Sequence, residues 1–104
     1  MIIYIAGPIT GNENYHAEFA AAAANLSEKG HIVFNPASLP AGLPWEEYMP
    51  ICFAMMDACD AAYFLKGWKH SKGARVEFDR ATRHGMQLIF EEDDQNGNQT
   101  DKTT

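Results

Sequence analysis

Ile2-Ile3-Tyr4-Ile5-Ala6-Gly7-Pro8-Ile9-Thr10-Gly11 decides how the chain is read. Residues 2–6 are a short, nearly all-apolar, β-branched run that stops at Gly7-Pro8. Such a run predicts a strand at the centre of a parallel sheet, buried on both faces. Residues 7–14 then form a loop, and from Tyr15 the apolar side chains recur at 15, 19, 22, 23 and 26. That spacing predicts a helix closed by Lys29 and Gly30, a basic last turn followed by glycine. His31-Ile32-Val33-Phe34 reads as a second strand, ended by Asn35-Pro36, and Pro40, Gly42 and Pro44 punctuate a loop over 37–44.

Tyr48, Ile51, Cys52, Met55 and Cys59 mark a second helical stripe. Pro50 lies inside it, which predicts a short turn at 45–48 and a kink or fresh start at the proline. Residues 61–65 predict a third strand, and Ser71 caps a third helix running to about His84, with Gly85 as its stop. Residues 87–90 predict a fourth strand. Strands alternating with helices in this way predict an α/β fold of three layers around a mostly parallel sheet, flavodoxin- or Rossmann-like. In such sheets ligands gather outside the carboxyl ends of the strands. Segments 7–14, 35–44 and 66–73 meet there.

Length and charge narrow the function classes. The 104 residues suit one domain, and the net charge of −6 leaves no basic surplus to hold a nucleic-acid backbone. Residues 91–104 carry five acidic groups against one lysine and no periodicity. They read as a disordered acidic and polar tail, so the expected domain covers 1–92 and the tail 93–104. No apolar run reaches membrane-spanning length, and Cys52 and Cys59 stand seven apart in a helical pattern. A cytosolic chain with reduced thiols and no membrane partner is expected. The four histidines and two cysteines lack metal-ligand spacing, so no metal is expected.

Several residues are candidates for chemistry. In Ser71-Lys72-Gly73-Ala74-Arg75-Val76-Glu77, Ser71 and Gly73 lie at unpaired amides of a new helix, and Lys69 and Lys72 add positive charge. Glu77 leans back toward the same helix start. Taken alone, the motif reads more simply as a capping serine and a surface glutamate paired with Arg80 or a lysine. Tyr4 is the polar-tipped side chain of an apolar strand, whose hydroxyl meets either a carboxylate at the sheet edge or a backbone carbonyl. Gly7, Pro8, Ile9, Thr10 and Gly11 form a glycine-flanked loop that matches neither common phosphate fingerprint. Trp68 either stacks on a planar ring or covers the core.

Residues 4–11, the run Cys59-Asp60-Ala61-Ala62-Tyr63-Phe64-Leu65-Lys66-Gly67-Trp68 and the motif at 71–77 together resemble the nucleoside 2-deoxyribosyltransferase-like superfamily. Within it the chain looks most like a small branch common in phages and prophages, a domain of unknown function numbered 4406. The resemblance spans about residues 1–92 and implies a four- to five-stranded sheet. It places Glu77 on a nucleophile that attacks C1′ of a ribose or deoxyribose, and Tyr4 on a tyrosine that positions it. Residues 7–11, Asn35, Trp68, Ser71 and Gly73 fall on the substrate-binding surface, with Trp68 and 35–44 covering the pocket.

Ser71 stands where deoxyribosyltransferases carry an aspartate for the sugar's 5′-hydroxyl. A neutral serine at a helix start beside two lysines suits a 5′-phosphate instead. Cys52 stands where relatives place an acid that assists base departure, and Asp57 is a candidate substitute. The resemblance thus implies an N-glycosidase or deoxyribosyltransferase for nucleotides, with no metal or cofactor. Two alternatives stay open: a non-catalytic nucleotide-sequestering protein, and a glycohydrolase of NAD-like or cyclic ADP-ribose nucleotides. The resemblance also implies a homodimer or larger homo-oligomer, with Trp45, Tyr48, Met49 and Trp68 as candidate apolar contacts.

Overall fold

The structure, a computed structural model, describes residues 1–92. The expected tail at 93–104 lies outside them. Four parallel strands, β1 (Ile2–Ala6), β2 (Ile32–Phe34), β3 (Ala61–Phe64) and β4 (Gln87–Phe90), stand in the order β2-β1-β3-β4. Three helices connect them: α1 (Tyr15–Glu28), α2 (Trp45–Asp57) and α3 (Lys72–Arg83). The sheet has four strands among the described residues, the lower count of the expected range. β1 is central, as its apolar composition requires, pairing Ile3 with Ala61 on one side and with Val33 on the other.

The layers follow from strand periodicity. Alternate residues of a strand face opposite sides of the sheet. Ile3 and Ile5 join Tyr63 and Leu65 under α1, where Phe19, Ala22 and Leu26 pack. Tyr4 and Ala6 join Ala62 and Phe64 on the other face, against Cys52 and Met56 of α2 and Ala81 of α3. Tyr4 and α3 therefore share one side of the sheet.

α2 departs from expectation at Pro50. The helix is continuous from Trp45 to Asp57, with no fresh start at the proline. Proline removes only the bond its own amide would make to the Glu46 carbonyl. Residues 46 and 50 are both exposed, so water can satisfy that carbonyl, while buried Met49, Cys52 and Met56 hold the helix down. Cys59 lies beyond the helix end and bonds the Met55 carbonyl through its thiol, so the two cysteines do not share one helical face. α3 starts as expected, with Ser71 Oγ accepting from the Ala74 amide at 3.2 Å.

Candidate functional site

At the carboxyl ends of β1, β2 and β3 lies a pocket built from the three segments expected there. Gly7, Ile9 and Thr10 form one wall, and 39–43 with Pro36 and Ala37 form another. Ser71, Gly73, Ala74 and Glu77 line the α3 side, with Tyr4 at the base. Gly7 is required by packing: a Cβ there would stand 2.9 Å from the Leu65 side chain. The loop after it is clasped by Asn12, whose Nδ2 donates to the Pro8 carbonyl at 3.0 Å and to Glu18 Oε1 at 2.9 Å.

Tyr4 Oη donates to Glu77 Oε2 at 2.6 Å, and both residues are buried. Glu77 is thus no surface glutamate, and Arg80 pairs elsewhere. The Cys52 thiol is a second polar neighbour of the carboxylate. Burial pushes the Glu77 carboxyl up to about 7, with the Tyr4 hydroxyl and the Cys52 thiol pulling the other way. Burial also raises the Cys52 thiol to about 11 and holds the Tyr4 and Tyr48 phenols well above their ordinary range. At neutral pH the site is one carboxyl poised between its two forms, surrounded by three protonated donors.

Gly73 has a different reason from Gly7. A Cβ on it would meet Met49 Sδ and Trp45 Nε1 at 3.7 Å, ordinary contact distance. Nothing in the packing forbids a side chain there, so the bare backbone serves the open space of the pocket. Lys72 Nζ lies 4.7 Å from the ring centroid of Trp45, which lines the pocket.

Five expected site residues stand elsewhere. Asp57 is exposed and holds Arg80 Nη2 at 3.0 and 3.2 Å, because five residues from Cys52 turn it away from the buried face. Trp68 stacks on Phe78 at 4.7 Å and neighbours Phe64 and Phe90, so it covers the core. Asn35 caps a short 3-10 turn through the Ala37 amide at 2.9 Å. Pro8 and Gly11 belong to the first loop but not to the pocket lining. Trp45 supplies the aromatic face assigned to Trp68.

Tyr48 and Met49, read as oligomer surface, line the pocket instead. Met49 is 4% exposed, so it offers no free face. Their signal was available: Tyr48 is polar-tipped, on the same stripe as Cys52 one turn later, as Tyr4 is within its strand.

The sequence profile of the family described as a domain of unknown function (DUF4406) matches residues 1–90. The chain belongs to that family. The match runs from β1 through β4 and so includes both partners of the Tyr4–Glu77 bond. None of the curated proteins compared with the chain matches it. Among the described residues no three His, Cys, Asp or Glu side chains gather as a metal site requires. No described helix is long and apolar enough to cross a membrane.

Proposed function

We propose that this chain is a nucleotide N-glycosidase or deoxyribosyltransferase of a phage or prophage branch of the nucleoside 2-deoxyribosyltransferase-like superfamily, working in the cytosol. The observation that carries the reading is the Tyr4–Glu77 hydrogen bond at the base of a pocket at the strand ends. Ionised Glu77 forms a bond to C1′ while the C1′–N bond breaks. The base leaves with the bonding pair and takes a proton from water. A second water, or an acceptor base, then displaces the carboxylate, and two inversions give net retention. Tyr4 orients the carboxylate and favours its charged form.

The 5′-monophosphate is favoured over the free nucleoside. Ser71 is neutral, the first amides of α3 have no intrahelical acceptor, and Lys72 stands over the ring of pocket-lining Trp45. Incubation with a panel of mononucleotides, followed by chromatography for free base, tests the reading. Wild type releases base and Glu77→Gln does not.

A second reading, a nucleotide-sequestering protein without turnover, is favoured by one observation. Glu77 is the sole carboxylate lining the pocket among the described residues, so no second acid assists the leaving base. Tight binding with no free base decides for it. We also propose that a second copy of the chain is a partner, with Trp45 and Ile51, 41% and 39% exposed on α2, as contacts; the mass in solution tests this.

A further inference from the structure

Three protonated side chains neighbour Glu77. Tyr4 Oη donates to the carboxylate, and the Cys52 thiol stands beside it on α2. The third, Tyr48, lines the same pocket one helical turn before Cys52, with the thiol as its foremost electrostatic neighbour. Its hydroxyl is buried and makes no hydrogen bond. A buried hydroxyl without a partner is uncommon and disfavours the empty state, so its place in a binding pocket points to a ligand acceptor.

The identity of that acceptor follows from the nucleophile, and here the argument rests on the function proposed above. Besides hydrogen, the C1′ attacked by Glu77 carries the departing base, which lies on the face opposite the attack, the ring oxygen, and C2′, whose hydroxyl in a ribose lies on the attacked face. The ring oxygen takes on positive charge as the bond breaks, so a donor aimed at it opposes the reaction. The 2′-oxygen has no such penalty, and hydrogen bonds to it strengthen in the transition state. We infer that the Tyr48 hydroxyl is the pocket's contact for a sugar 2′-hydroxyl, which makes ribonucleotides rather than 2′-deoxyribonucleotides the ligands of this site.

Calorimetry on Glu77→Gln, which binds without cleaving, tests this with the four ribonucleoside 5′-monophosphates and their 2′-deoxy counterparts. The expected result is at least tenfold tighter binding of one or more ribonucleotides than of the matched deoxy compound, a preference that Tyr48→Phe in the same background removes. Equal or tighter binding of the deoxy series overturns the inference and leaves the nucleotide site standing. So does an equal loss of both series in Tyr48→Phe. A ligand-free Tyr48→Phe protein that melts several degrees lower than its parent also overturns it, because the hydroxyl then has an internal partner. Binding of neither series removes the nucleotide reading and this inference together.

Discussion

Tyr4 and Glu77, 73 residues apart in sequence, meet through a 2.6 Å hydrogen bond on the α2–α3 face of the sheet. Strand alternation sends Tyr4 to that face, and the backward lean of helical side chains brings Glu77 down toward the start of α3. A buried carboxyl held this way is costly to ionise, and its burial is why its proton equilibrium falls near neutrality.

Base release by wild type should rise with pH through about 7 and then level off, because the proposed mechanism uses the ionised form of Glu77. A pH profile of kcat/KM on a mononucleotide checks this. A flat profile from pH 5 to 9 contradicts it.

Glu77→Gln should raise stability while abolishing turnover. The folded carboxyl titrates near 7 against an ordinary 4.5, so the unfolded chain gives up its proton more readily. The resulting cost to folding grows as pH climbs from about 4.5 to 7 and is constant above. Thermal melts should show the variant more stable at pH 8, by on the order of 3 kcal/mol, and nearly equal to wild type at pH 4.

Tyr4→Phe removes a bond that favours the charged carboxylate, so the acid limb of the activity profile should move to higher pH. Stability should fall by about 1–3 kcal/mol, the usual cost of depriving a buried polar group of its partner. Denaturant titration and the pH profile separate the two effects.

Gly73→Ala should fold as well as wild type, since the added methyl meets neighbours only at 3.7 Å. Ligand affinity should drop at least tenfold, because the methyl occupies the pocket where the backbone is bare. Calorimetry beside a thermal melt reads both. Loss of stability with retained affinity would assign the glycine to packing.

Asp57→Asn and Trp68→Ala should separate surface from core. Breaking the exposed Asp57–Arg80 pair should cost no more than about 1 kcal/mol and leave ligand binding intact. Removing Trp68 from its stack with Phe78 and Phe64 should cost about 2–4 kcal/mol, also without a direct effect on affinity.

The three-layer architecture was legible because it is written locally. The apolar run at 2–6, the helical spacing from Tyr15 and the Ser71 cap each act within a few residues, and each formed where its pattern said. The pocket's position followed from the same order of elements, since loops after parallel strands must emerge on one edge. The helix runs through Pro50 because a proline's local cost is outweighed by the burial of Met49, Cys52 and Met56 around it.

What the chain could not reveal residue by residue was which face each helix would cover. Trp68 and Trp45 are both aromatics beside glycine- or proline-rich turns, yet one packs into the core and the other lines the pocket. Tyr48 and Asp57 lie on the same helix, one inward and one paired with Arg80. Local pattern determined the elements, their order and the glycine and serine at the start of α3. Only the tertiary packing decided that Tyr4, Tyr48, Cys52 and Glu77 share one hollow, because strand parity and helix rotation become contacts only once sheet and helices close on each other.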